Sequence, residues 1–289
     1  MIKNVGIIIN NRKKQPVSVA REIIRFFAKK GISVYATEED GGLLGLKPEN
    51  ICDNLGEIVD CVITLGGDGT FLRAARIMTN YNRPILGINM GRLGFLTEIE
   101  LSEVEESLEK LIKGYFMLEH RMMLDAKVTR DGQVVSHMIG LNDVVINKGP
   151  LARLINLNIF VQNDFVTNYK ADGVILATPT GSTAYSLSAG GPIVYPELEV
   201  IIITPICPHT LRARPLVLPS DRIMRVALAT QQADSMITVD GQNGFPLLNG
   251  DEITIEKSAV QTSLIRIKEY KFYDILRKKL KTESRITYE

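Results

Sequence analysis

Short apolar runs alternate with helix-like patterns through the first third of the chain. Runs of strand length in which nearly every residue is apolar are typical of strands buried on both faces of a parallel sheet. These runs cover residues 5–9, 32–36, 61–65 and 84–88. A helix is predicted over residues 16–30, because Ala20, Ile23 and Phe27 have the spacing of one helix face. A further helix is predicted over residues 71–78. The alternation predicts an α/β N-terminal domain with a parallel, Rossmann-like sheet.

Two other segments of this region are interpreted from their polar residues. Residues 38–45 are acidic and rich in glycine, which predicts a mobile loop. Ser102 followed by Glu105 has the spacing of a capping box, which predicts the start of a helix that ends at Gly114.

The pattern changes at about Tyr115. From there, apolar segments are short, rich in β-branched residues and separated by turn-forming pairs such as Asp131-Gly132, Asn163-Asp164 and Asn249-Gly250. The predicted strands cover residues 124–129, 134–139, 143–146, 155–162, 223–229, 252–256 and 265–267. These features predict a β-rich, sandwich-like C-terminal domain of mostly antiparallel strands.

Helical spacing returns near the end of the chain. Residues 272–280 carry Phe272, Ile275 and Leu276 within two turns, and an amphipathic helix needs a surface to cover. We therefore predict an α/β domain over residues 1–114, a β-rich domain over residues 115–268, and a C-terminal helix over residues 269–289 that packs on the α/β domain.

Composition narrows the class of protein. A chain of 289 residues, 45% hydrophobic and 23% charged, is long enough for two globular domains with sizeable cores. The net charge of +1 favours no general attraction to nucleic acid or to an anionic membrane. No apolar run is long enough to cross a membrane, and the N-terminal apolar run is too short for a signal peptide, so we expect a cytoplasmic location.

The cysteines and histidines indicate neither a disulfide framework nor a metal site. Cys52, Cys61 and Cys207 are odd in number, lack Cys-x-x-Cys spacing and are interpreted as buried thiols. The three histidines are scattered along the chain, so no metal-ligating residues are predicted.

A glycine-rich turn with one carboxylate follows the strand predicted over residues 61–65. It reads Gly-Gly-Asp-Gly-Thr at residues 66–70, directly before a predicted helix. Glycines leave the main chain open to a ligand, and a helix N-terminus attracts phosphate. A carboxylate beside a phosphate site suggests phosphoryl transfer; the alternative is that Asp68 only caps the helix.

A second polar motif occupies residues 170–192. A strand leads there into threonines, serines and glycines and then to a helix start at Tyr185, which offers hydroxyl and N–H groups to phosphate, ribose or a base edge. The alternative, a solvated Ser/Thr loop, is disfavoured by the apolar flanks. Asn142 and Asp143 add an amide and a carboxylate suited to an adenine edge and a ribose diol, although Asn-Asp also occurs in ordinary turns.

Together these motifs closely resemble those of the NAD kinase family over nearly the whole chain. The resemblance rests on residues 66–70, Gly-Arg-Leu-Gly-Phe-Leu at 91–96, Leu-Asn-Asp at 141–143, residues 172–192, 204–211 and 214–219, and Val-Asp-Gly-Gln at 239–242. It implies an α/β domain followed by a β-rich domain. It also implies transfer of the γ-phosphate of ATP, or of polyphosphate, to the 2′-hydroxyl of the adenosine ribose of NAD.

The resemblance implies roles for particular residues. Asp68 corresponds to the proton acceptor for the 2′-hydroxyl, Gly69 lets the ribose approach, and Arg73 is placed to hold a phosphate. Asn142 and Asp143 correspond to the pair that contacts adenosine and ribose, with aspartate where glutamate is common in the family. The remaining assigned binding residues are Asp172, Thr183, Ala184, Tyr185, Ser186 and Ser188, together with Arg153, Lys170 and Gln242.

The resemblance also implies partners. Mg²⁺ is expected to arrive with ATP, and a homodimer or homotetramer is expected. Two alternatives remain: a lipid kinase of the diacylglycerol or sphingosine kinase type, whose glycine-rich motif is similar, and a non-catalytic NAD-binding sensor. The presence of Asp68 argues against the sensor, since binding alone requires no base.

Overall fold

The computed structural model describes residues 2–91, 93–149, 154–210, 212–229, 235–269 and 272–283. The chain divides into two compact units, the first made of Met1–His120 and Thr262–Glu289 and the second of Arg121–Gln261. The helices are α1 (Lys14–Lys29), α2 (Glu38–Leu44), α3 (Leu55–Ile58), α4 (Asp68–Met78), α5 (Val104–Lys113), α6 (Tyr185–Ser188) and α7 (Phe272–Glu283). Within the described ranges, no helix is long and apolar enough to cross a membrane.

The strands of the first half of the chain are β1 (Asn4–Ile9), β2 (Ser33–Tyr35), β3 (Cys61–Gly66), β4 (Ile85–Asn89), β5 (Met117–Arg130), β6 (Gln133–Gly140) and β7 (Asp143–Lys148). Those of the second half are β8 (Ile155–Val161), β9 (Asp164–Ala171), β10 (Gly173–Ala177), β11 (Val200–Ile206), β12 (Leu216–Pro219), β13 (Met224–Leu228), β14 (Ser235–Val239), β15 (Asn243–Leu247) and β16 (Glu252–Arg266).

The first unit is an α/β domain built on parallel strands. β1 pairs in parallel with β2 and β3, β3 pairs in parallel with β4, and Leu264 near the end of β16 pairs with Ile85 of β4. The apolar side of α1, with Ala20, Ile23 and Phe27, is buried in the same core as β1 and β3. The predicted α/β fold with a parallel sheet is therefore confirmed.

The loop predicted over residues 38–45 is wrong, because most of this segment is the helix α2. Asp40 on α2 is fully buried and forms an ion pair with Arg73 of α4, with 2.6 Å between the Asp40 carboxylate and Arg73 Nη2. Glycine content disfavours a helix, but this long-range ion pair and the burial of Leu44 hold the segment in place.

The capping box predicted at Ser102 and Glu105 is also displaced. A 3₁₀ turn over Leu101–Glu103 precedes α5, and the backbone N–H of Glu100 donates to the Glu103 carboxylate at 3.1 Å. The capping box is therefore formed by Glu100 and Glu103, two residues earlier than predicted. Gly114 ends the helix in the left-handed conformation, as expected.

The second unit contains two antiparallel arrays of strands. One has the order β12-β11-β10-β7-β14-β15, and the other includes β8 between β9 and β13, with β13 also pairing β16. Alternate side chains from both arrays form one core, including Val144 and Ile146 of β7 and Leu157 and Ile159 of β8. The β-rich, sandwich-like fold is confirmed.

Details of the strands differ from the prediction. The two strands predicted over residues 252–256 and 265–267 are one strand, β16. The turn predicted at Asn163-Asp164 lies one residue earlier, with Gln162 at φ 56° and Asp164 already in β9. Of the three cysteines predicted to be buried, Cys61 is buried, Cys52 is half-buried and Cys207 is exposed, so the prediction is wrong for Cys207.

Candidate active site

The glycine-rich turn connects the buried strand β3 to α4. Gly66 is required by the turn itself, because a Cβ there would lie 2.1 Å from Thr70 Oγ1. A Cβ at Gly67 or Gly69 would meet no atom within 4 Å. Packing inside the protein therefore does not require glycine at 67 or 69, and the space beside both residues is compatible with the close approach of a ligand.

The Asp68 carboxylate holds the loop that follows β4. Its Oδ2 accepts the backbone N–H of Phe95 at 3.0 Å, and its Oδ1 accepts that of Leu96 at 3.1 Å. Asp68 is the first residue of α4. Its carboxylate accepts backbone N–H groups from a separate loop, so its contacts extend beyond capping of the helix.

Gly94 gives the Asp68 carboxylate its space. A Cβ at Gly94 would lie 1.9 Å from Asp68 Oδ1 and 2.7 Å from Thr97 Oγ1. In the sequence, Gly94 is visible only as one residue of the motif at 91–96, and its role was not predicted. The glycine itself is the signal, but Asp68, the residue that requires it, lies 26 positions earlier in the chain.

Arg73 is committed to an ion-pair network within the first unit. Its Nη2 donates to Asp40 at 2.6 Å and to the Ile9 carbonyl at 2.7 Å, and its Nη1 donates to Glu39 at 2.5 Å. Burial raises the pKa of Asp40, and the positive charge of Arg73 opposes that rise. The assigned phosphate-binding role of Arg73 stays a prediction, and it requires a phosphate to replace the exposed Glu39 side chain.

The second unit brings three separate motifs to one corner at the start of β7. The backbone N–H groups of Leu141, Asn142 and Asp143 donate to the Asp240 carboxylate at 2.8, 2.7 and 3.1 Å. The Asn142 carbonyl accepts the Thr178 N–H at 2.9 Å. Asp240 had no role in the sequence-based assignment.

The polar side chains of this corner are buried. Asn142 is 9% exposed, and its Oδ1 has no hydrogen-bond partner. Burial, and then the negative charge of Asp240, raise the pKa of Asp143 from 3.8 to about 7. A buried acceptor without a donor is costly, so a ligand that supplies an N–H or hydroxyl group would be stabilised here.

The residues of the second polar motif differ in accessibility. Tyr185 and Ser188 are exposed, while Thr183 and Ala184 are half-buried. Ser186 is fully buried with its Oγ 2.9 Å from Thr204 Oγ1, so it lies in the interior instead of on an open surface. The assignment of Ser186 as a binding residue stays a prediction, and its hydroxyl would reach a ligand only by leaving Thr204.

The other assigned residues lie at the edge of the same unit. Asp172 forms an ion pair of 2.6 Å with Lys148, and Lys170 and Gln242 are exposed. Arg153 lies outside the described residues. No cluster of three or more His, Cys, Asp or Glu side chains suited to a metal ion occurs among the residues that the structure describes.

Two family models match the chain, one in each half. The ATP-NAD kinase N-terminal domain matches residues 5–116, and the ATP-NAD kinase C-terminal domain matches residues 141–267. Neither a lipid kinase nor a non-catalytic sensor is supported by these matches.

Relatives and solved structures agree with the family models. An NAD kinase of Desulforamulus reducens is 45% identical over 281 residues, which is 97% of this chain and 98% of that protein. A yeast NADH kinase solved with NADH has a TM-score of 0.88 at 29% identity, covering 99% of this chain and 90% of its own. An NAD kinase from Archaeoglobus fulgidus solved with ATP has a TM-score of 0.75 at 26% identity, covering 96% of this chain and 99% of its own. The chain therefore belongs to the NAD kinase family and is a phosphotransferase with an alcohol acceptor.

Proposed function

We propose that this chain transfers the γ-phosphate of ATP to the 2′-hydroxyl of the adenosine ribose of NAD, with Asp68 as the proton acceptor. The observation that carries the assignment of Asp68 is its geometry. The carboxylate stands at the start of α4, beside glycines 67 and 69, where an added Cβ would meet no protein atom within 4 Å, and two backbone N–H groups fix its orientation.

The reaction needs one proton acceptor and correct alignment. The 2′-oxygen forms a bond to the γ-phosphorus while the bond from that phosphorus to the β–γ bridging oxygen breaks, and ADP leaves. The hydroxyl proton passes to the Asp68 carboxylate. Because the transition state of phosphoryl transfer is loose, the hydroxyl loses its proton late and a carboxylate of ordinary basicity suffices.

Acceptor recognition is assigned to the second unit. Asn142 Oδ1 is a buried acceptor without a donor, suited to the exocyclic amine of adenine, and Asp143 is suited to a ribose hydroxyl. The exposed Tyr185 ring offers a flat surface to the nucleotide, and Asp172, Thr183, Ala184 and Ser188 are assigned to the same groove.

Mg²⁺ enters this proposal as part of the substrate MgATP. Mg²⁺ is commonly bound through substrate phosphates and one or two carboxylates instead of through an all-protein cage, and it would neutralise the triphosphate. Use of polyphosphate, a cytoplasmic location and a homodimer or homotetramer remain predictions, as do the contacts of Arg73, Arg153, Lys170 and Gln242.

Replacing Asp68 by asparagine tests the proposal. Asp68→Asn keeps the size of the side chain and removes its basicity, so we expect NADP formation to slow by roughly 10²-fold or more. The dissociation constant for NAD, measured by calorimetry, should change little, and the melting temperature should fall only modestly, because the asparagine amide can accept one of the two backbone N–H groups that the carboxylate accepts. Wild-type protein that forms no NADP from NAD and MgATP would refute the proposed function, while near-normal kcat in Asp68→Asn would refute only the assignment of the base.

A further inference from the structure

The Asp240 carboxylate is the acceptor for three consecutive backbone N–H groups. Its Oδ2 accepts from Leu141, and its Oδ1 accepts from both Asn142 and Asp143. Hydrogen bonds to an ionised carboxylate are stronger than those between neutral groups. Asp240 therefore ties the entrance of β7 to the turn between β14 and β15.

The Asn142 peptide is held from both sides by these contacts. Its N–H donates to Asp240 at 2.7 Å, and its carbonyl accepts from Thr178 at 2.9 Å. Gly181 allows this approach, because a Cβ there would lie 2.0 Å from the Asn142 carbonyl oxygen. The backbone is thus fully engaged, while the buried side-chain Oδ1 of Asn142 has no partner.

An immobilised backbone that carries an unpaired buried acceptor is preorganised for a ligand. Asn142 and Asp143 lose their conformational entropy when the chain folds, so this loss does not weaken ligand binding. From this geometry we propose that Asp240 is a positioning residue for the acceptor nucleotide: it holds Asn142 and Asp143 in the orientation that recognises the adenosine end of NAD. The inference builds on the proposed function and adds a residue that acts through the backbone.

A second Asp-Gly turn in the same unit supplies a matched control. Asp240 and Gly241 have φ values of 52° and 63°, and Asp131 and Gly132, in the turn between β5 and β6, have 50° and 78°. Asp131 is exposed. Asparagine adopts this left-handed conformation readily, so substitution at either position retains the turn. Only at Asp240 does substitution disturb the three N–H contacts.

The test compares Asp240→Asn with Asp131→Asn in steady-state NADP formation. Asparagine offers one oxygen, and its NH₂ group would face backbone N–H donors, so at least one strong hydrogen bond is lost. We expect the KM for NAD in Asp240→Asn to rise by about tenfold, equivalent to one such bond, with kcat and the KM for ATP within about twofold of wild type. Asp131→Asn should match wild type in all three constants.

Three outcomes would overturn the positioning role. They are an unchanged KM for NAD in Asp240→Asn, an equal effect in Asp131→Asn, and a fall in kcat and both affinities in proportion to a lowered melting temperature. Calorimetric titration of NAD into wild type and Asp240→Asn tests the same role without turnover. Wild type that binds NAD but forms no NADP would thus refute the proposed function, while the binding comparison still decides on Asp240.

Discussion

Asp68 and Asp240 act on the backbone in the same way, each within its own unit. Asp68 accepts N–H groups from Phe95 and Leu96, and Asp240 accepts them from three consecutive residues, 141–143. In both cases a carboxylate at the end of one element fixes a loop that is distant in the sequence. The side chain and the loop therefore position each other, so a substitution on either side affects both.

Gly94 provides a test of this mutual dependence from the side of the loop. Its backbone φ is not in the left-handed region, so Gly94→Ala introduces no backbone strain and acts only through the Cβ, which would overlap Asp68 Oδ1. A displacement of about 1 Å of a reacting group is able to cost roughly 10²-fold in rate, and we expect kcat to fall on that order.

Gly42→Ala is the matched control, since a Cβ there meets no atom within 4 Å and its φ is likewise not left-handed. Steady-state kinetics and melting temperature on both variants separate displacement of Asp68 from a general effect of alanine. Full activity in Gly94→Ala would show that the position of the Asp68 carboxylate does not limit the rate.

At the scale of elements, α7 supports the loop that Asp68 holds. Phe272 is buried with its ring centroid 6.0 Å from that of Phe95, and Lys279 Nζ lies 5.2 Å from the Phe95 ring. The backbone N–H of Phe95 in turn donates to Asp68. The C-terminal helix therefore packs on the residue whose backbone orients the proposed base.

Removing the Phe272 ring should reduce stability. Burial of Phe272 indicates that Phe272→Ala lowers the free energy of unfolding by about 3–5 kcal/mol, whereas Tyr273→Ala, at a side chain that is 64% exposed, should cost under about 1 kcal/mol. Urea unfolding of both variants measures the difference. Equal stabilities would mean that α7 does not pack on the core as the structure has it.

At the scale of the whole molecule, buried carboxyl groups make stability depend on pH. Burial raises the pKa of Asp40, Glu98 and Asp143, and of these only Asp143 has another carboxylate, Asp240, as its second cause. A group whose pKa is higher in the folded state stays protonated there after the unfolded chain has lost its proton. For Asp143, the contribution of the protonated carboxyl to stability is complete below the unfolded pKa of 3.8 and is lost as the pH rises to about 7.

Asp143→Asn isolates this contribution, because an amide does not titrate. We expect wild type to lose stability relative to Asp143→Asn between pH 4 and pH 7, by an amount on the order of a few kcal/mol. Free energies of unfolding from urea titrations at several pH values give the difference. A difference that stays constant, or that changes in the opposite direction, would contradict the raised pKa.

The sequence by itself determined the fold class and the family. Apolar runs and helical spacing are local properties of the chain, so β1, β3, β4 and α1 were predictable from periodicity alone. The glycine-rich turn and the polar motif at residues 170–192 were likewise visible as chemistry concentrated in short segments.

Only the tertiary structure decided which distant residues meet. Asp40 of α2 forms an ion pair with Arg73 of α4, 33 residues away, and the backbone at Asn142 contacts Asp240, 98 residues away. Such long-range contacts produce no periodic pattern in the sequence. An aspartate or glutamate is the same letter whether its carboxylate caps a helix, pairs with arginine or accepts hydrogen bonds from a loop. Burial and partners give each carboxylate its role, and both exist only after the chain has folded.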